Sequence, residues 1–411
     1  MIDSWTAIVL VPLAVVLAPL LATLVGRVVR VPLVVFEIGL GILIGPAVLG
    51  WAPVDGFTAD LADLGVAMLF FLAGTEIDFR QINGRPLRRS IAGWLLAVVL
   101  TVAIGVVAAP DPVAGVYLGV ALTSTALGAL IPLLRDAGEL RTRFGTAVVA
   151  VGAVGEFGPL IAISVFLSGR NPGKAAIVLL AFVAVTALAI AMAAKGTHLR
   201  VHRLITATLH TSGQFAVRLV ILVLAVLAGL SLALGLDMLL GAFAAGVLMR
   251  LVLRNATPAD AESVESKLEG LGFGLLVPIF FVHTGMTFDL TALLGDGRAL
   301  VLLPVFVLVM LVIRGGSGLL SAPKGAARTD RAALALLTAT GLPIIIAVTG
   351  IGVERGELTG SLAASLVGAG IISVLLFPLL GLLAHARAPV TDEAATGPAP
   401  ADIDRSNDPE G

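Results

Sequence analysis

Thirteen mostly apolar stretches, most of them about 20 residues long, constrain what this chain can fold into more than any other feature. A helix rises about 1.5 Å per residue, so such a stretch crosses the roughly 30 Å of bilayer hydrocarbon. They run over about 6–26, 31–50, 59–79, 89–109, 113–134, 144–169 and 173–195, then 212–235, 236–253, 267–288, 298–321, 331–353 and 360–385. Only 13% of the residues are charged, about half the share in a soluble domain. The expectation is an all-α polytopic membrane protein. No small-residue cleavage site follows the first stretch, which reads as a membrane helix and not a removable signal. There is no cysteine, so disulfides and thiolate zinc sites are excluded. With five scattered histidines and no HExxH, neither a bound metal cofactor nor any other cofactor is expected, and nothing suggests an enzyme.

Basic residues alternate strongly between successive loops. One set of loops holds eighteen Lys and Arg, among them Arg80, Arg85, Arg88, Arg89, Arg135 and Arg143; the other has only Arg170, Lys174, Arg298 and Arg355. The basic set marks the cytoplasmic side, placing the N-terminus outside and the C-terminus inside. A transmembrane domain is expected over 1–385. Within it the segment of about 195–213, KGTHLRVHRLITATLHTSG, reads as an amphipathic helix on the inner leaflet, in contact with lipid. Residues 386–411 are polar and rich in Pro and Gly, the composition of a disordered tail. The net charge of −1 gives no sign of a nucleic-acid partner, and none is expected.

Two pairs of segments resemble each other. FFLAGTEIDF from Phe70 matches FFVHTGMTFDL from Phe280, and ALTSTALGALIPLL from Ala121 matches ALLTATGLPIIIAV from Ala335. Both pairs are seven stretches apart, an odd number, so equivalent helices cross the membrane in opposite directions. This is an inverted repeat over about 31–169 and 236–385, a transporter signature. Thr123, Ser124, Thr125 and Gly128 interrupt one member of the second pair; Thr338, Thr340, Gly341 and Pro343 interrupt the other. Breaks at equivalent positions point to a binding site at the midplane, where unwound carbonyls and hydroxyls suit Na⁺ or K⁺. The alternative is that these small and hydroxylated residues only let helices pack closely.

Glu156 is the one ionisable side chain in the stretch FGTAVVAVGAVGEFGPLIAISVFLSG, and lies about 18 Å of helix from either end. A carboxylate at the midplane is costly and usually marks an ion or proton pathway; the alternative is a permanent structural ion pair. Pro159 frees the carbonyl around position 155. Arg314, inside the eleventh stretch, needs a carboxylate or several carbonyls when buried. Glu156 and the carbonyls of the broken helices are its candidate partners; snorkelling to the inner interface is the alternative. His283 is a candidate pH-related residue, set against a packing role.

The strings VPLVVFEIGLGILIGPAVLG (31–50), DLGVAMLFFLAGTEIDF (63–79), GLDMLLGAFAAGVLM (235–249) and PIFFVHTGMTFDL (278–290) together resemble the monovalent cation:proton antiporter family, in its bacterial Kef/Nap-like sodium/hydrogen exchanger branch. The resemblance covers about 8–385. It implies a homodimer in the bacterial plasma membrane, with a dimerisation domain and a core that carries the ion by an elevator movement. It implies Glu156 for the ion-binding aspartate of the sixth helix, Arg314 for the embedded lysine or arginine, and discontinuous helices around Thr123–Thr125 and Thr338–Pro343. Where members carry Asp-Asp, Asn-Asp or Gln-Asp, this chain has Gly155-Glu156. A single carboxylate favours one proton per cation, hence electroneutral exchange.

The function expected is therefore antiport of Na⁺ or K⁺ against H⁺, with Glu156 binding the proton or the transported cation and Arg314 stabilising the empty, ionised site by charge pairing. The rivals are a Kef-like potassium efflux channel gated by a separate subunit, an organic-anion symporter, and a non-transporting sensor of the same fold.

Overall fold

The computed structural model describes residues 5–26, 31–77, 82, 84–108, 111–140, 142–167, 171–195, 214–253 and 256–386. The amphipathic linker and the C-terminal tail, apart from Lys195 and Ala386, lie outside the described residues.

The described residues are helical almost throughout. The elements are α1 (Trp5–Val25), α2 (Leu33–Ile44), α3 (Gly56–Glu76), α4 (Arg85–Ala108), α5 (Pro112–Leu122), α6 (Leu127–Asp136), α7 (Arg143–Phe166), α8 (Pro172–Lys195) and α9 (Phe215–Ala233). There follow α10 (Met238–Leu253), α11 (Pro258–Leu271), α12 (Val277–Thr287), α13 (Leu290–Gly295), α14 (Gly297–Val309), α15 (Gly316–Gly318), α16 (Arg328–Thr338), α17 (Pro343–Glu354) and α18 (Gly360–His385). Ten continuous or interrupted helices among them are long and apolar enough to cross a membrane, and three shorter apolar ones accompany them. Each of the thirteen apolar stretches of the sequence therefore has its helical counterpart.

Boundaries depart from the hydropathy reading where polar chemistry decides. The tenth helix starts at Pro258, not near 267, because Thr257 caps it by accepting the Asp260 amide and Pro258 occupies a first-turn position where a missing amide costs nothing. Its first turns, PADAESVESKLEG, are too polar to register as a membrane stretch. The second helix stops at Ile44, not at 50, since Gly45 is extended and the Trp51 and Ala52 amides both fold back onto the Ile44 carbonyl. Asp55 caps α3 by accepting the Thr58 amide at 2.8 Å, and that bond together with the Thr58 hydroxyl holds the carboxyl below its ordinary range.

Two continuous helices contain a wide, π-type turn: Gly272–Leu276 joins α11 to α12, and Met310–Gly315 joins α14 to α15. Such turns re-aim side chains and recur at functional positions. The second one carries Arg314.

The helices pack as two groups. In one, α3 lies along α10 and α12, α2 along α12, and α9 along α10; in the other, α4 packs on α5 and α7, and α18 packs on α14, α16 and α17. Glycines set the separations in the first group. A Cβ on Gly246 of α10 would stand 2.0 Å from the Phe71 carbonyl oxygen, and one on Gly41 of α2 would stand 2.0 Å from that of Val282. Backbones touch here, as membrane helices do when small residues line the interface. At the seam between the groups lies a cavity of about 230 Å³ that holds the Arg135–Glu76 ion pair at 3.1 Å, with Glu265 and Glu269 beside it.

Overpacking a close crossing costs about 1–3 kcal/mol. Gly246→Ala is therefore expected to lower the thermal unfolding midpoint in detergent, whereas Gly229→Ala, whose new Cβ meets nothing within 4 Å, leaves it unchanged.

Candidate functional site

Near the centre of the second group two helices are interrupted at the same place. Helix α5 ends at Leu122, where the Thr123 and Ser124 hydroxyls donate to the carbonyls of Val120 and Ala121, each at 2.9 Å. Hydroxyls bonded back in this way compete with helix continuation. After a gap of four residues the chain resumes as α6 at Leu127. Helix α16 ends at Thr338 and α17 begins at Pro343, again a position that suits proline. Gly128, expected at the first break, instead lies inside α6; the break spans 123–126.

The two breaks hold each other. The Ala126 amide donates to the Thr340 carbonyl at 2.7 Å, and the Thr125 hydroxyl donates to the Thr338 carbonyl at 2.6 Å. Helix α7 passes beside them. Pro159 has no amide, which leaves the carbonyl four residues earlier without its helical donor. That carbonyl belongs to Gly155, and it accepts the Thr125 amide at 2.9 Å.

Glu156 is 1% exposed and its Oε2 accepts the Leu127 amide at 3.2 Å. Leu127 is the first residue of α6, so the carboxylate faces the free amides and positive dipole end of that half-helix. The other end of α6 carries Arg135 into the cavity at the seam. The ten residues of α6 thus connect the buried carboxylate with the ion pairs at the margin of the protein.

Arg314 is also 1% exposed. Its Nε donates to the Thr125 hydroxyl at 3.0 Å and its Nη2 to the Val151 carbonyl at 3.1 Å. The ion pairs of the described residues do not include one between Arg314 and Glu156; a hydroxyl and a carbonyl partner the guanidinium here. Gly155 explains how it fits. A Cβ at that position would lie 2.2 Å from Nη2 of Arg314 and 2.6 Å from the Thr125 hydroxyl. The arginine head therefore stands where a side chain beside Glu156 would begin.

Of the residues singled out from the sequence, Glu156, Arg314 and Thr125 come together. The Thr123, Ser124, Thr338 and Thr340 hydroxyls lie at the breaks but donate within their own helices, the last two to Leu334 at 2.6 Å and Leu336 at 3.2 Å. Gly341 approaches the first break closely, since a Cβ there would stand 2.7 Å from the Ser124 hydroxyl. His283 lies on α12 in the other group, within electrostatic reach of Asp55, its buried Nε2 without a hydrogen-bond partner among the described residues. Sequence reasoning missed Ser373 of α18, which bonds the second break at Gly341. A serine in an apolar helix carries no mark that separates this role from packing.

Among the described residues no group of three His, Cys, Asp or Glu could hold a metal ion as a fixed centre. The site offers one carboxylate together with backbone oxygens and hydroxyls, a set that suits transient binding of a hard monovalent cation.

The family described as sodium/hydrogen exchanger, transmembrane, matches residues 13–382. Among curated proteins, YjbQ of Bacillus subtilis is 26% identical over 369 residues, covering 85% of this chain and 58% of its own length. The Na⁺/H⁺-K⁺ antiporter GerN of Bacillus cereus is 27% identical over 359 residues, covering 84% of this chain and 88% of its own. The chain therefore spans little more than half of YjbQ and most of GerN. Among solved structures, the sodium proton antiporter MjNhaP1 of Methanocaldococcus jannaschii at pH 8 superposes with a TM-score of 0.63 at 16% identity, over 92% of this chain and 98% of that one. The shared architecture and the match over most of its length lead to one assignment: this chain is a multi-pass membrane protein of the sodium/hydrogen exchanger family.

Proposed function

We propose that the protein is a secondary antiporter exchanging a monovalent cation, Na⁺ or K⁺, for H⁺, with Glu156 as the shared binding group. The observation that carries this reading is the buried Glu156 carboxyl, held by amides at the start of α6 at the crossing of two broken helices, with no ion pair to a basic side chain among the described residues. A bare carboxylate in such surroundings is costly. It is neutralised by a proton or by a cation, and occupancy by one excludes the other. That competition couples the two fluxes. The names of GerN, a Na⁺/H⁺-K⁺ antiporter, and of an Enterococcus hirae Na⁺/H⁺ antiporter, 25% identical over 310 residues, support the same substrates.

Arg314 acts in this scheme without touching Glu156. Anchored on Thr125 and the Val151 carbonyl, its fixed charge lowers the cost of the ionised carboxylate during the moment when neither proton nor cation is bound. Backbone oxygens at the two breaks, whose second lone pairs are open to an ion, complete the shell of the dehydrated cation. Alternating access follows from the two packed groups: the one holding the breaks, Glu156 and Arg314 slides against the other, breaking and remaking the Arg135–Glu76 contact at the seam. With one titrating carboxylate, one proton moves per cation and the exchange is electroneutral. The remaining features of the proposal are a homodimer in the bacterial plasma membrane, the N-terminus outside, and inverted repeats over about 31–169 and 236–385 inside one transmembrane domain.

In proteoliposomes loaded with a pH dye, adding Na⁺ or K⁺ should dissipate an imposed proton gradient. Glu156→Gln should abolish the response; normal exchange by that variant would overturn the carrier role. For one-to-one exchange, an imposed membrane potential should leave the initial rate unchanged. Thr125→Val removes the acceptor for Arg314 and the donor to Thr338, so it should cost about 1–3 kcal/mol of stability together with most of the transport. Thr125→Ser, which keeps the hydroxyl, should retain both.

A further inference from the structure

The second break has a partner that the scheme above leaves unused. Ser373, on α18, is fully buried. Its hydroxyl oxygen accepts the Gly341 amide at 3.1 Å and lies 3.0 Å from the Gly341 carbonyl and 2.7 Å from that of Gly370, so its one proton goes to a carbonyl while its lone pair takes the amide. Gly370 makes this approach feasible: a Cβ there would stand 3.0 Å from the Gly341 carbonyl oxygen and 2.9 Å from Leu342 Cδ1.

The pairing of the two similar segments gives this contact a counterpart. The helices around the second break begin 216 residues after those around the first, and the Thr359 cap of α18 stands 217 residues after the Thr142 cap of α7, which carries Glu156 onto Ser373. At the first break the Leu127 amide donates to the carboxylate of Glu156 on α7. At the second, the amide of Gly341, two residues before α17 begins, donates to Ser373 at the equivalent place on α18. Each break thus gives an amide to a side chain at the same place on its neighbouring long helix, one a group that takes a charge and one a group that stays neutral.

We propose that Ser373 is a positioning residue for the transported cation: it holds the unwound peptide at Gly341 so that the oxygens of 339–342 stay aimed at the ion bound by Glu156. The inference rests on the antiport reading of the site. A neutral cap orients the second break without offering a second titrating group, which keeps the proton count at one.

The experiment is cation-driven exchange in proteoliposomes by wild type, Ser373→Ala and Glu156→Gln, with hydrogen–deuterium exchange of peptides covering 339–345 in the same preparations. Loss of one buried hydrogen bond at the ion's shell should raise the apparent KM for Na⁺ or K⁺ about five- to tenfold, with the maximal rate little changed. Amide exchange at the second break should quicken while the unfolding midpoint stays near that of wild type. Should Ser373→Ala fail to fold, Ser373→Cys, nearly the same size but a weak donor and acceptor, is read by the same criteria. An unchanged KM and unchanged amide exchange would overturn the proposal, as would a fall in maximal rate and stability at constant KM. If wild type shows no exchange that depends on Glu156, the antiport reading itself falls, and this inference with it.

Discussion

Inside a bilayer every backbone amide and carbonyl needs a partner within the protein, because no water is there to supply one. Two helices of this chain stop and restart in its interior, and each stop releases groups that a continuous helix would have paired. The structure answers by making the broken segments satisfy one another and by recruiting the neighbouring helices. Ala126 is paired with Thr340, Thr125 with Gly155 and Thr338, and Gly341 with Ser373. The position of Glu156 follows from the same requirement, since the first amide of α6 needs an acceptor and finds it in the carboxylate. The site is a by-product of keeping a broken helix soluble in lipid.

Thr125 is the joint of this arrangement. Its amide reaches α7, its hydroxyl proton reaches α16, and its hydroxyl lone pair receives Arg314 from the wide turn after α14. A residue with three such bonds allows few alternatives. The absence of a Cβ at position 155 is equally constrained, because the space is filled by the guanidinium and the threonine hydroxyl.

Much of this was legible in the sequence, for particular reasons. Thirteen apolar stretches announced thirteen helical segments because length and hydropathy alone decide what crosses a bilayer. Glu156, Arg314 and both breaks stood out because ionisable groups, and Ser/Thr/Gly/Pro clusters, are rare in such stretches. The strings that carried the family resemblance have a different physical content. Gly41, Gly74, Gly246 and Gly285 are contacts where backbones touch in the other group of helices, away from the site. What stayed hidden depends on three-dimensional neighbours. Nothing in the sequence shows that Gly155 leaves room for the arginine head. Of the partners expected for Arg314, Glu156 is not in contact, and the guanidinium is held by Thr125 and a carbonyl of α7; Ser373 carries no sequence mark that sets it apart from a packing serine. The early start of α11 was missed because a polar helical extension has no hydropathy signal.

In an uninterrupted helix the carbonyl of residue 155 belongs to the amide of residue 159, and a visiting donor must share it. Proline withdraws that claim permanently, so the carbonyl is reserved for Thr125 alone. The register between α7 and the first break is therefore written into covalent structure and does not depend on the outcome of a competition between two donors. An amide-bearing residue at 159 would turn a reserved seat into a contested one, and the alignment of the carboxylate with its half-helix would become a matter of occupancy.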